Sequence, residues 1–184
     1  MTLPDFQPTL VGPTVTIRPI AADDWTELFV AGSDPEIWEV HPVPDRYTEP
    51  EFQKFFDGAL KSKMAFVFVD RDSGALIGSS RYYGYEPAFG EVEIGWTFLI
   101  RKHWGGPTNR EVKRLMLDHA FTFAETVAFW VGETNWRSQG AMTKIGGTRR
   151  AGLFSRELTG ADKPYLIYEI SKGGYEGGGR ALLA

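Results

Sequence analysis

The chain has 184 residues with 42% hydrophobic and 14% aromatic content, enough to bury a substantial core in one domain. Twenty Lys and Arg against 24 Asp and Glu leave a net charge of -4, which gives no electrostatic footprint for a nucleic-acid backbone or an anionic membrane surface. With no cysteine, disulfides, thiolate nucleophiles and cysteine metal sites are excluded, and His41, His103 and His119 are too scattered for a metal-ligand motif.

The opening MTLPDFQPTLVGPT has no basic stretch followed by an apolar one, and nowhere does an uncharged apolar run approach the roughly 20 residues that span a bilayer. A cytoplasmic protein without metal, membrane or nucleic-acid partner is expected. VTIRPI (15–20) alternates as a strand, and AADDWTELFVAG (21–32) follows as a helix with an acidic first turn. Pro35, Pro42, Pro44 and Pro50 make the next segment a loop, which leads into a second helix, EFQKFFDGALKS (51–62), with Phe52, Phe55, Phe56 and Ala59 on its apolar face. MAFVFVD (64–70), the turn RDSG, ALIGSSRYYGY (75–85) and FGEVEIGWTFLI (89–100) read as a three-stranded meander. In its last strand, alternation puts Val92, Ile94, Trp96, Phe98 and Ile100 on one face and Glu91, Glu93, Gly95, Thr97 and Leu99 on the other.

Val112, Leu115, Met116, Ala120 and Phe123 recur at helical spacing from Asn109 to about Glu125. VAFWVGE (127–133) is then a buried strand, and WRSQGAMTKI (136–145) a short helix stopped by Gly146 and Gly147. Residues 148–158 and 163–171 complete the strands around a Gly-Ala-Asp turn. The tail GGYEGGGRALLA (173–184) is too rich in glycine to order by itself, so the domain is expected over 1–172. The order gives a mixed α/β fold, and the helix joining the third meander strand to the next strand requires a parallel pair there.

RKHWGGPTNREVKRL (101–115) runs from that meander strand through a glycine turn into a helix. Free backbone N–H groups and the positive end of the helix dipole converge on such a point, and an anion is the natural guest. Arg101, Lys102, Arg110 and Lys113 add positive charge. Helix initiation alone is the competing explanation: Thr108 and Glu111 have capping-box spacing, and Pro107 suits a first helical position. Pro107 also removes one N–H from the turn, and Glu111 would set a like charge near a phosphate.

EIGWTFLI, followed by WGG.TN.E.KRLML.HAF (to 121) and GETNWRS..AM.KIGG (132–147), resembles the GCN5-related N-acetyltransferases, in the branch that includes ribosomal-protein N-terminal acetyltransferases. The resemblance implies that family's fold: a mostly antiparallel twisted sheet of about seven strands, with a parallel pair at the CoA site and about four flanking helices. It also implies acetyl-CoA as cosubstrate and a small-molecule or peptide amine as acceptor, and it allows a homodimer. The family's pyrophosphate signature would fall on Trp104, Gly105, Gly106, Pro107, Thr108 and Asn109, with Trp104, Pro107 and Asn109 departing from the common pattern. The amides of Gly105, Gly106, Thr108, Asn109 and Arg110 remain as donors.

The same resemblance places main-chain groups of Phe98, Leu99 and Ile100 beside the thioester, Asn135 at the pantetheine arm, and the Ser138 hydroxyl near the CoA sulfur. Asn135 as an N-cap and Ser138 as a first-turn residue is the structural alternative. Glu93 is the candidate base, with Gly95 leaving room beside it. Glu91 and Glu157 are reserves, and Met142 stands where many relatives carry a tyrosine acid. Trp38, His41 and Tyr47 would frame the acceptor pocket. Without cysteine, transfer is direct; a non-catalytic CoA- or ligand-binding domain is the alternative.

Overall fold

A computed structural model describes residues 4–158 and 161–184. Its strands are β1 (Leu10–Val11), β2 (Val15–Pro19), β3 (Ala65–Asp70), β4 (Leu76–Glu86), β5 (Glu91–Leu99), β6 (Thr126–Gly132), β7 (Thr148–Arg149), β8 (Phe154–Leu158) and β9 (Ala161–Ser171). They form one sheet in the order β1-β2-β3-β4-β5-β6-β9-β7, with β8 also paired to β9. Every pairing is antiparallel except β5 with β6, the pair that the crossover helix requires. Two of the nine strands have two residues each, so the expected count of about seven describes the longer ones. Of the expected Gly-Ala-Asp turn, Ala161 and Asp162 begin β9, and Gly160 lies outside the described residues.

Five α-helices cover the sheet: α1 (Trp25–Gly32), α2 (Glu49–Ser62), α3 (Pro107–Ala120), α4 (Trp136–Lys144) and α5 (Lys172–Glu176). On one face, Phe52, Phe55, Phe56 and Ala59 of α2 pack with Leu28, Val67 and Phe98; on the other, Val112, Met116, Leu117 and Ala120 of α3 pack with Ile17, Phe68, Val92 and Ile94. The helical spacing of these residues is what buries one stripe of each helix.

β5 does not keep the alternation that its sequence suggests. Between the pairs Arg81↔Gly95 and Ser79↔Phe98, β4 advances two residues and β5 three, and Trp96 takes φ 52°. This is a bulge, and one extra residue exchanges the two faces of everything beyond it. Val92 and Ile94 therefore share a core with Leu99 and Ile100, whereas Trp96 and Phe98 belong to the opposite one. The expectation of a single apolar face from Val92 to Ile100 is corrected accordingly. A positive φ at a bulky residue such as tryptophan is strained, and such strain concentrates at functional sites.

The glycine-rich tail is also corrected. Ser171 caps α5 by accepting from the Gly174 N–H, Tyr175 is 2% exposed and donates to Asp118 Oδ1 at 2.8 Å, Arg180 pairs with Asp118 at 2.8 Å, and Leu183 is buried. Three anchors against α3 order a segment whose local composition does not.

Candidate active site

β5 and β6 are paired only from Glu91–Glu93 to Thr126–Ala128. Beyond Glu93 and Ala128 the two strands part, and α3 and α4 begin just past their carboxyl ends. Strand ends that diverge beneath two helix N-termini make a cleft, the usual position of a ligand in a sheet with parallel strands. Two cavities occupy it. The larger, about 600 Å³, runs along Phe98, Leu99, Trp104, Gly105, Asn109 and Arg110; the smaller, about 110 Å³, is walled by Arg46, Glu93, Trp96, Arg156 and Tyr165. His41, Thr97, Lys113, Asn135, Ser138 and Met142 line both.

In the glycine turn, Gly105 has φ +64°, a conformation that L side chains rarely adopt, and Gly106 is the N-cap of α3. Pro107 is the first helical residue, the position where helix initiation prefers proline. The helix then leaves the N–H groups of Gly106, Thr108 and Asn109 outside its ladder, while that of Arg110 is the first within it. Arg110 therefore brings its exposed guanidinium rather than its amide. The expected capping box is absent: Gly106 and not Thr108 is the N-cap, so Glu111 lies two residues past the N3 position and accepts from Thr14 N (2.9 Å), Thr14 Oγ1 (2.5 Å) and Val15 N (3.2 Å), on the β2 side. Its charge is thus spent on β2 and not set against an anion at the turn.

The four expected cations divide. Arg101 is paired with Asp34 (2.5 Å) and Glu36 (2.6 Å), Lys102 is exposed outside both cavities, Arg110 lines the larger one, and Lys113 is buried where the two meet. The Lys113 ammonium lies 3.4 Å from Thr97 Oγ1 and 5.1 Å from the centre of the Phe129 ring. Burial lowers its pKa to about 8. Its charged form opposes folding at neutral pH, and this cost is relieved as pH rises from about 8 toward the unfolded value of 10.5.

Around the turn, the Trp104 indole donates to the Leu99 carbonyl at 2.8 Å and the Arg137 guanidinium stacks 4.2 Å above its ring. Phe98 and Leu99 reach the larger cavity, but Ile100 lies outside it, its N–H donating to Ile77 O at 2.9 Å. Asn135 is the N-cap of α4, accepting from Ser138 N at 3.0 Å, and its side chain still lines both cavities, as does Ser138.

Glu93 is 6% exposed and forms a two-pronged ion pair with Arg156 at 2.9 and 2.6 Å; a Cβ on Gly95 would come within 2.8 Å of Glu93 Oε1. Desolvation raises its pKa above the usual carboxylate value against the pull of Arg156. Arg156 also lies 4.1 Å over the Trp130 ring. Glu91 is taken up by Arg150, and Glu157 is exposed and lines neither cavity. Trp38 and His41 reach the cavities and Tyr47 does not. Among the described residues no group of three or more His, Asp or Glu could hold a metal, and no helix is long and apolar enough to cross a membrane.

Residues 14–148 match the family model of the acetyltransferase (GNAT) domain. The chain belongs to the GNAT acetyltransferase family. The fold is shared with a GCN5-related N-acetyltransferase from Brucella melitensis (22% identity over 97% of this chain and 86% of that one, TM-score 0.80) and with Mycobacterium smegmatis RimJ in complex with CoA-disulfide (19%, 99% and 96%, 0.75). An acetyltransferase from Agrobacterium tumefaciens C58 is 24% identical over 90% and 95% of the two chains, with TM-score 0.66. No curated protein sequence matches. Within this GNAT fold, the cavities bring together Phe98, Leu99, Trp104, Gly105, Gly106, Asn109, Arg110, Asn135, Ser138 and Glu93, with Thr108 buried behind the turn.

Four residues of the site escaped the sequence: Arg46, Arg156, Tyr165 and the buried role of Lys113. Two had a signal. Lys113 shares the spacing of Met116, Leu117 and Ala120, which puts a lysine on a buried face, and Arg156, two residues from Phe154 along β8, shares its face. Arg46 and Tyr165 are brought in from a loop and a distant strand by tertiary contact alone.

Proposed function

We propose that this chain is an acetyl-CoA-dependent N-acetyltransferase that passes the acetyl group directly to a primary amine of a small molecule or a peptide. The observation that carries this reading is the meeting of a large and a small cavity at Ser138, Asn135 and Lys113, where the parted strands β5 and β6 leave main chain uncovered. Acetyl-CoA, the family's acyl donor, supplies a thioester whose carbonyl carbon an amine attacks as the carbon–sulfur bond breaks.

The residues fit that donor. The N–H groups of Gly106, Thr108 and Asn109 and the Arg110 guanidinium suit a pyrophosphate, and a volume of about 600 Å³ suits a long cosubstrate. Main chain at Phe98 and Leu99 and the side chain of Asn135 flank the arm. Glu93, made more basic by burial, takes the proton of the acceptor amine directly or through a water. The Ser138 hydroxyl gives a hydrogen bond or proton to the departing sulfur, and Lys113 supplies positive charge at the same junction. Direct transfer needs only that both ligands be held together, and the shared walls of the cavities do this.

A CoA-binding domain without turnover is the second reading, favoured by Met142 in the place of a tyrosine acid and by the Arg156 clamp on Glu93. Ser138→Ala separates the two. On the catalytic reading it lowers kcat by roughly 100-fold or more, with CoA affinity by calorimetry unchanged, because the amide of residue 138 still caps against Asn135. Equal kcat in the variant removes Ser138 from the chemistry.

A further inference from the structure

The small cavity carries an excess of positive charge. Its ionisable walls are Arg46, Lys113 and Arg156 against the one carboxylate of Glu93, which Arg156 already holds. His41 is neutral, its pKa lowered to about 3 by burial and the neighbouring Arg46. Arg46 is the anomaly. It is 5% exposed, lies 5.2 Å from the centres of both the Trp38 and Phe55 rings, and takes part in no ion pair among the described residues.

Among the described residues the one hydrogen-bond contact of its side chain, Nη1 to His41 Nε2 at 3.2 Å, conflicts with a second: His41 Nδ1 accepts from the Val43 N–H at 2.9 Å. A neutral imidazole has a single acceptor nitrogen, so it serves Val43 or Arg46 and not both. With Nδ1 facing a main-chain donor that has no alternative role as acceptor, the guanidinium is left without a hydrogen-bond acceptor among the described residues. The Trp38 and Phe55 rings hold the guanidinium by cation–π contact, and among the described residues no fully buried side-chain nitrogen or oxygen lacks a partner, so its unbonded N–H groups open on the cavity, where an anion would meet them. A second guanidinium, Arg81, repels it, and the carboxylates of Glu51 and Asp45 attract it without forming an ion pair.

We infer that the small cavity selects acceptor amines that carry a carboxylate, and that Arg46 is the specificity-determining residue that receives it. This rests on the acetyltransferase reading for the role of the small cavity as acceptor site. The planar fork of a guanidinium matches a carboxylate with two parallel hydrogen bonds. The cationic walls that attract the carboxylate also disfavour the ammonium form of the acceptor, and so favour the neutral amine that attacks. The carboxylate is either the main-chain group of a free amino acid or the acidic side chain at a peptide N-terminus.

The test compares matched probes on wild type, Arg46→Met and Arg46→Lys. Free amino acids against their carboxamides, and C-terminally amidated peptides beginning with Asp or Glu against Asn or Gln, are followed by thiol release; binding of the corresponding N-acetylated products in the presence of CoA is followed by calorimetry. The expected result is a preference for the carboxylate member of roughly 10- to 100-fold in kcat/KM and product affinity. It should be lost in Arg46→Met and partly kept in Arg46→Lys, with CoA affinity unaltered, since Arg46 does not line the larger cavity. The arm that shows the preference identifies which carboxylate is read. Equal values for acid and amide in the wild type, or a preference that survives Arg46→Met, overturns the inference. Absence of thiol release with every amine defeats the acetyltransferase reading alone, and product binding then still decides for or against Arg46.

Discussion

Exchanging Glu93 for glutamine should lower kcat by about two to four orders of magnitude and leave CoA affinity unchanged. Glu93 lines the small cavity and not the large one, so the loss should appear in turnover with any acceptor and not in cosubstrate binding. In the wild type, kcat should climb as pH rises through the pKa of Glu93, a value held above the usual carboxylate range by burial; in the variant that limb should vanish. Stability runs the other way. A carboxyl whose native pKa is raised favours folding below its unfolded pKa, and that contribution is lost as pH rises through the native value. Rate and stability should therefore cross over the same window. Glutamine also leaves Arg156 facing an amide where a carboxylate stood, so a lowered melting temperature should accompany the loss of rate. A Glu93→Gln enzyme with wild-type kcat and an unaltered pH profile would remove Glu93 as the base and leave it a structural partner of Arg156.

Ending the chain at Lys172 should cost about 3–5 kcal/mol, the range for removing one large buried aromatic, and lower the melting temperature by roughly 10 °C. Tyr175 is the main reason: it is buried at 2% exposure against Phe121, ring centres 5.0 Å apart, with its hydroxyl on Asp118. Arg180 donates to both Asp118 oxygens, and Leu183 closes the apolar surface. Leu182 also reaches the wall of the larger cavity, so weaker CoA binding should accompany the loss of stability. Thermal unfolding followed by circular dichroism reads the first effect and calorimetry the second. A shortened chain that melts with the full-length protein would show that the tail adds nothing to the fold.

Where the fold was legible in the sequence, one periodicity ran unbroken: Phe52, Phe55, Phe56 and Ala59 mark α2, and Val112, Met116 and Ala120 mark α3, each on the face the structure buries. The parallel pair β5–β6 was legible because a helix between two strands leaves no other choice. What escaped depends on events that periodicity does not record. The bulge at Trp96 inserts one residue and exchanges faces, so alternation failed from Trp96 onward although each residue type suited a strand. The tail failed because Tyr175, Arg180 and Leu183 act at a distance on Asp118 and the core.

At the site, the glycine turn and the NWRS motif were legible because their chemistry is local, with backbone donors and a cap set by adjacent residues. Pro107 now reads as the first residue of α3, beside three amides that remain available. Glu111 could not be placed, since its partners Thr14 and Val15 lie on the far side of the sequence. The same holds for Arg46 and Arg156, whose meaning comes from Trp38, Phe55 and Glu93.

Direct acetyl transfer from acetyl-CoA to an amine is decided by incubating the full chain with acetyl-CoA and the panel of amino acids and acidic peptides. Free thiol and the acetylated amine are then measured together. Equal amounts of both are expected, with an initial rate that depends on acceptor concentration and falls by about two to four orders of magnitude in Glu93→Gln. Tight CoA binding with no acetylated amine from any acceptor would contradict it.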